Sequence, residues 1–431
     1  MTSMLQKLTS RPRPIRVGLA GAGTFGEEMV TQISAIKNME VTAIGDLDAR
    51  AGVAAFLKAG CRESDIEICA SRNAAQNALE RGKRVVVEDA LLLNTLDVEV
   101  VCDVTGSPTF GAEFAHNAIT NGKHVVVVNI ESDVVVGSVL RRMAERAGVV
   151  YTEADGDQPS LIAGMVDWAR VLGLEVTAAG KWTHGVSRED KWLAHGKRSD
   201  IGYSDGSKNQ VEMGCVANMT GLPPDTRGLR LPSLPLTEIA NAFTTRGEGG
   251  IFERKGVVDA IACVAPDGRV VEPLLGGGVF VVVETDNPCC RDVIRHKGFL
   301  HSADGRRALL YRPFHFVGIE APMSILRAVL YREATGAPLP QPVADVMAIA
   351  KCDLPAGTLL DGIGGMAVRG VVERADIARA ENALPLGLAE NVTLNRPVPR
   401  GTLLTYAMLE KPGDSLIWKL RRQQDADRAA F

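Results

Sequence analysis

Between Ile15 and Asp46 the chain reads strand, glycine turn, helix, strand, acid, and few folds accept that order. Ile15-Arg16-Val17-Gly18-Leu19-Ala20 is short, mostly apolar and rich in branched residues. Gly21-Ala22-Gly23-Thr24-Phe25-Gly26 follows with GxGxxG spacing, and residues 27–36 carry apolar side chains at helical intervals. Each glycine has a separate use. Gly21 permits a turn that no side chain tolerates, Gly23 lets a pyrophosphate approach the backbone, and Gly26 allows close helix–strand packing. The helix N-terminus then offers unpaired N–H groups to the phosphates. A second strand, 41–44, ends at Gly45-Asp46, where an acid binds a ribose diol. Gly21, Gly23, Thr24, Phe25, Gly26 and Asp46 are therefore the expected dinucleotide contacts. A diol-binding acid favours NAD over NADP, although either nicotinamide suits the turn.

The pattern continues for another hundred residues. Helices are expected over 49–58, 74–81, 111–121 and 135–147, and strands over 85–87, 98–104, 124–128 and 149–151. Apolar strands alternating with helices predict a Rossmann-type parallel sheet covered on both faces, an α/β fold. Ligands of such sheets sit outside the carboxyl ends of the strands. That rule adds Thr105, Gly106, Ser107, Asn129 and Glu131 to the cofactor residues.

At 431 residues the chain is long enough for two or three domains. A net charge of −4 gives no reason to expect nucleic acid or an anionic membrane as partner. No apolar run approaches the roughly 18 residues of a membrane span, and residues 1–14 lack the apolar core of a signal peptide. Eight scattered cysteines without a CxxC pair read as reduced thiols, so a cytoplasmic protein is expected. The composition shifts near residues 153–159. Beyond it come a helix over 160–172 with Ser160 as N-cap, a strand over 174–179 ending in Gly180-Lys181-Trp182, and a polar stretch, 183–206, with the character of a lid. A helix over 209–220, strands over 257–264 and 279–284, and a helix over 323–334 follow. The Pro-rich 338–342 reads as a stiff linker to short strands and Pro-Gly turns, a small mostly β module. The expected division is a dinucleotide-binding domain (1–155), an α+β catalytic and dimerisation domain (156–337) and the small module (338–431).

With these residues laid out, the chain resembles the DXR-like reductoisomerases, the second type of 1-deoxy-D-xylulose 5-phosphate reductoisomerase. The resemblance rests on Gly21-Ala22-Gly23, Asn121-Gly122-Lys123-His124, Gly156-Asp157-Gln158-Pro159-Ser160, Ala179-Gly180-Lys181, Asp205-Gly206-Ser207-Lys208, Ala217-Asn218-Met219-Thr220-Gly221, Gly256-Val257-Val258-Asp259 and Ala350-Lys351-Cys352-Asp353-Leu354. It implies a homoserine-dehydrogenase-like NAD(P)-binding front end, a C-terminal SAF module and a homodimer. It also implies rearrangement and reduction of a phosphorylated ketose, with a nicotinamide and a divalent cation, Mg²⁺ or Mn²⁺. The sequence departs from the family at Asp46 and Asp48, which repel a 2′-phosphate, and at Gln158, where the family places a Glu.

Hydride transfer to a carbonyl carbon requires a proton donor at the oxygen and a group to polarise it. Lys181 and Lys208 lead the candidates; the alternative for both is an exposed surface lysine. Glu153, Asp155 and Asp157 alternate at the exit from the first domain. Asp155 and Asp157 are the candidate cation ligands, the alternative being caps for the next helix. Asp157 and Glu212 are also candidates for acid–base work, and Asn218 for orienting substrate or simply ending its helix. His184 and His195 are weaker candidates for an imidazole that the lid drops onto substrate, the alternative being solvated loop residues, and His315, Arg227 and Arg230 for contacts to an anionic group. Three functions remain open: a reductoisomerase of 1-deoxyxylulose 5-phosphate, an NAD-linked dehydrogenase of a sugar acid or polyol, and a non-catalytic NAD(H)-binding sensor.

Overall fold

Seven short strands, each bounded by turn residues, form one sheet: β1 (Ile15–Ala20), β2 (Met39–Gly45), β3 (Ile66–Ile68), β4 (Arg84–Val87), β5 (Val100–Asp103), β6 (His124–Val127) and β7 (Tyr151–Glu153). Their order is β3-β4-β2-β1-β5-β6-β7, and every neighbouring pair is parallel. The structure is a computed structural model describing residues 3–184, 198–265 and 267–428. The chain divides into two units. The first contains this sheet together with Phe316–Pro340 and Lys419–Phe431. Val17, Leu19, Val41, Ile44, Val100 and Val126 are buried in its core against Met29 and Ile33 of the Thr24–Ser34 helix. Val317, Ala321 and Ile325 join the same core, which is why a segment distant in sequence belongs to this unit.

The order of strand addition reverses at β1, since β2 lies on one side and β5 on the other. The glycine turn leaves the carboxyl end of that strand, at the switch point where α/β sheets bind ligands. The helix after it begins at Thr24, three residues earlier than its apolar spacing suggests, because Gly23 serves as N-cap. The Gln158–Val171 helix begins two residues before Ser160. Ser160 is therefore not its N-cap: its hydroxyl donates back to the Ala154 carbonyl from inside the first turn.

The second unit, Leu161–His315 with Gln341–Trp418, is built on a five-stranded sheet. Its strands are β8 (Glu175–Thr183), β9 (Val257–Ala262), β10 (Val279–Glu284), β11 (Leu300–His301) and β12 (Arg307–Arg312), in the order β11-β12-β10-β8-β9. β8 pairs parallel with β9; the other neighbours are antiparallel. The sequence pattern stops β8 at residue 179, yet the strand continues through Lys181 to Thr183. Gly180 explains this: a Cβ there would sit 1.8 Å from the Asp259 carbonyl of β9, so only glycine lets the two strands stay paired. The Ser207–Thr220 helix is enclosed on nearly every side. In the C-terminal part of this unit, β13 (Ala344–Ala350) pairs antiparallel with β15 (Val368–Arg374), and β14 (Leu359–Asp361) with β16 (Glu390–Thr393). Among the described residues no helix is long and apolar enough to cross a membrane. Of the lid-like stretch, residues 185–197, with His195 among them, lie outside the described residues.

Gly180→Ala is expected to destabilise the protein by about 3 kcal/mol through that backbone clash. Gly164→Ala, on an open helix surface, should instead add about 0.5–1 kcal/mol. Urea unfolding of the two variants reads both values, and equal stability would contradict the close approach of β8 and β9.

Candidate functional site

The residues expected to hold the cofactor lie at the carboxyl ends of the strands of the first unit. Gly21 adopts φ +97°, which only glycine reaches without strain, and its N–H donates to the Gly45 carbonyl at 2.8 Å. Ala22 N–H donates to Asp46 Oδ2 at 2.7 Å, and Asp48 N–H to Asp46 Oδ1 at 2.9 Å. Asp46 thus ties the end of β2 to the glycine turn while lone pairs remain on both oxygens for a ribose hydroxyl. A Cβ at Gly26 would lie 2.1 Å from the Gly21 carbonyl, whereas a Cβ at Gly23 would meet nothing within 4 Å. The first contact presses helix against turn; the second leaves open space where a pyrophosphate can reach backbone. Gly23 caps the helix without a side-chain hydrogen bond, so the first-turn N–H groups keep their capacity for an anion. Thr24 and Phe25 are exposed beside them. These features fit a dinucleotide.

Asp48 caps the Ala49–Lys58 helix and holds the exposed Arg50 through two bonds of 2.9 Å. The Arg50 hydrogen bond keeps the Asp48 carboxyl below the usual range. Arg50 is thereby tied to an acid instead of standing open to a 2′-phosphate.

Thr105, Gly106, Ser107 and Asn129 are joined by a residue that no sequence motif marks, Asp103 at the end of β5. Its Oδ1 accepts from Thr105 N–H (3.0 Å) and Thr105 hydroxyl (2.7 Å), and its Oδ2 from Asn129 Nδ2 (2.9 Å). Asn129 Nδ2 also reaches the Ser107 carbonyl at 2.8 Å, and Gly106 turns with φ +72°. Gly111 makes room for this knot, since a Cβ there would fall within 2.4–2.8 Å of Asn129, Asp103 and Ser132. Burial pushes the Asp103 carboxyl up to about 6, against the pull of Thr105 and Asn129. The one signal in the sequence is an acid closing an otherwise apolar buried strand. Glu131 sits half-buried in the first turn of the Ile130–Ala147 helix.

In the second unit the structure brings Lys181 of β8 to Glu212 of the Ser207–Thr220 helix. Nζ bonds the carboxylate directly, and the side chains keep 5% and 4% of their exposure. Lys181 is therefore neither a strand-end nor a surface lysine. Lys208 is half-buried one turn before Glu212, on the same helix face. Asn218 is placed differently from its expected role: its Oδ1 accepts the Val343 and Ala344 N–H groups, each at 2.9 Å, which makes it a strut.

Asp155 and Asp157 do not gather a cation site among the described residues. Asp155 Oδ1 accepts Gly156 N–H at 3.0 Å and Asp157 Oδ1 accepts Gln158 N–H at 2.8 Å. Among the described residues neither belongs to a cluster of three ligand atoms within 4.8 Å. By themselves the two carboxylates do not make a closed protein site for Mg²⁺ or Mn²⁺, since no third side-chain ligand atom joins them among the described residues. His315 Nδ1 contacts the Gly277 carbonyl at 2.6 Å, and His184 is exposed. Arg227 pairs with Glu373 and Glu381, and Arg230 with Asp225, so both guanidiniums are already committed to acids.

Two family descriptions match the chain. Residues 156–321 match "Oxidoreductase DRL, catalytic domain", and residues 21–153 match "Homoserine dehydrogenase, NAD binding domain". Lys181, Lys208, Glu212 and Asn218 all fall in the first of these. No curated protein matches. Among solved structures, a probable dehydrogenase from Thermotoga maritima is 14% identical over 74% of this chain and 90% of its own, with TM-score 0.38. A scyllo-inositol dehydrogenase from Lactobacillus casei, bound to NAD(H) and scyllo-inositol, is 13% identical over 63% and 74%, TM-score 0.35. The 1-deoxy-D-xylulose 5-phosphate reductoisomerase from Zymomonas mobilis with NADPH is 17% identical over 47% of this chain and 57% of its own, TM-score 0.35.

The raised Asp103 carboxyl has a measurable consequence. Its folded value of about 6 exceeds the unfolded value of about 4, so the folded state binds more protons between the two. The stability it contributes is full below pH ~4 and lost as pH rises through ~6. His124, pushed down to about 4 by burial, acts with the opposite sign, gaining stability as pH rises. Subtracting Asp103→Asn from the parent isolates the acid. That difference should fall by roughly 2 kcal/mol between pH 4 and 7 and stay flat above. A pH-independent difference would show that burial does not shift the Asp103 carboxyl from its unfolded value.

Proposed function

We propose that this chain, a DRL oxidoreductase catalytic domain behind a homoserine-dehydrogenase-type NAD-binding domain, is an NAD-linked oxidoreductase that reduces a small polar carbonyl compound, with Lys181 as its proton donor. The buried Lys181–Glu212 pair carries the reading. Two charges withdrawn from water contribute little net stability, whereas an ammonium fixed in a water-poor site suits proton transfer to an oxygen. The bound nicotinamide supplies the hydride. The residues of the glycine turn bind its pyrophosphate, and Asp46 accepts from the adenosine ribose diol. Lys181 donates its proton to the carbonyl oxygen as the hydride reaches carbon, which leaves an alcohol and a neutral amine. Glu212 holds that amine in place, and Lys208 pairs with an anionic group of the substrate.

Within this class the first candidate substrate is 1-deoxyxylulose 5-phosphate, following the family of the catalytic domain. A second reading, dehydrogenation of a sugar acid or polyol, is favoured by Asp46, by Gln158 and by the absence of a cation ligand set around Asp155 and Asp157 among the described residues. A homodimer of cytoplasmic location goes with either.

Purified protein is tested against 1-deoxyxylulose 5-phosphate and a panel of sugar acids and polyols, with NADH or NADPH and with or without Mg²⁺. NADH should bind more tightly than NADPH, and Asp46→Ala should narrow the difference. A marked NADPH preference in the parent contradicts the role given to Asp46. Binding of NADH without turnover of anything in the panel would instead favour the sensor.

A further inference from the structure

The Ser207–Thr220 helix is unusual in burying Ser207, Asn209, Gln210, Glu212, Asn218 and Thr220 together. Buried polar groups need partners, and the C-terminal segment supplies many of them. At 3.6 residues per turn, Ser207, Gln210, Gly214 and Asn218 share one face. Lys208, Glu212, Cys215 and Met219 share another. The first face is bound throughout by the C-terminal segment. Ser207 Oγ accepts Gly370 N–H at 2.8 Å, Gln210 Oε1 accepts Val372 N–H at 2.9 Å, and Asn218 Oδ1 accepts Val343 and Ala344 N–H. Gly370 and Val372 are alternate residues of β15, whose other edge is paired to β13. The helix therefore completes the hydrogen bonding of an edge strand with side chains instead of a third strand.

One further tie precedes the helix. Asp205 Oδ1 accepts Ser207 N–H at 2.9 Å, while its other oxygen takes the ammonium of Lys351, from the loop after β13. Lys351 Nζ also donates to the Gly365 carbonyl at 2.6 Å, and both charged side chains are wholly enclosed. Half-buried Arg369 of β15 is a second cation whose charge acts on Asp205. Such a pair tolerates little displacement, because separation strands a charge without solvent.

We propose that Lys351 is a positioning residue: through Asp205 and Ser207 it fixes the start of the catalytic helix, and so sets where Lys208 stands. The C-terminal segment is then a working part of the catalytic unit. This rests on the functional reading above for the meaning of Lys208, though not for the geometry itself.

The test uses the full-length protein and separates the two. Amide hydrogen exchange is compared in the parent, Lys351→Met, Lys351→Arg and the double variant Lys351→Met/Asp205→Asn. Lys351→Met should speed exchange across residues 207–212 by ~10–100-fold and leave the Thr24–Ser34 helix unchanged. Lys208 should also acylate faster relative to exposed Lys58. Lys351→Arg, which keeps the charge, should recover part of the protection. The double variant retains an oxygen to cap Ser207 and buries no charge, so its exchange should return to within ~3-fold of the parent. It also keeps the test open if the single variant does not fold. On any substrate found above, Lys351→Met should lower kcat by ~10–100-fold with KM for NADH unchanged. The proposal is overturned if exchange over 207–212 does not change, if it rises equally across both units, or if the double variant exchanges as fast as the single. Failure of the parent to turn over any substrate bears on the functional reading alone.

Discussion

An ammonium and a carboxylate enclosed together, Lys181 against Glu212, are the constraint around which the second unit is arranged. Removing either charge from water is unfavourable, and the pair persists only where the surrounding backbone fixes both partners. Gly180 lets β9 press against β8, which carries Lys181 inward along a continuous strand. The Ser207–Thr220 helix carries Glu212, and β13 and β15 hold that helix through Ser207, Gln210 and Asn218. Strand, helix and C-terminal segment therefore converge on one requirement: two opposite charges kept dry and in contact.

The first unit follows a different logic, in which backbone does the binding and acids shape it. Asp46 secures the glycine turn and Asp103 secures the loops after β5 and β6. One retains acceptor capacity on both oxygens; the other is sealed beneath its loop and raised by burial. The same side-chain chemistry gives a half-buried tie at the turn and a fully buried organiser, and burial decides between them.

Features whose partners lie nearby in the chain are legible in the amino-acid sequence itself. The GxGxxG turn, Asp46 and the alternation of strands with helices all depend on contacts within a few dozen residues, and they appear where the spacing places them. Lys181 and Lys208 stand out through a family resemblance, not through periodicity, since nothing local marks a lysine in a strand as buried; Glu212 reads only as an acid on a later helix. Asp103 carries no such mark, and although Asp205 and Lys351 lie in segments of the resemblance, their roles depend on residues brought together only by folding. Asn218, Ser160 and the Asp155–Asp157 pair show the converse. Each has a plausible role in the sequence; tertiary hydrogen bonds make Asn218 a strut, while Ser160, Asp155 and Asp157 spend their side chains on neighbouring backbone. The clustering of Phe316–Pro340 with the first unit is likewise invisible in the sequence, because the apolar residues that place it are far along the chain from the core they complete.

The role of Lys181 as the group that moves the proton is tested most directly by the steady-state kinetics of Lys181→Met and Lys181→Arg, with NADH affinity measured separately on the same preparations. In Lys181→Met, kcat should fall by ~10²–10⁴-fold while NADH binding is preserved. A variant that keeps the parent's kcat, or one that loses NADH binding in step with turnover, would contradict that role.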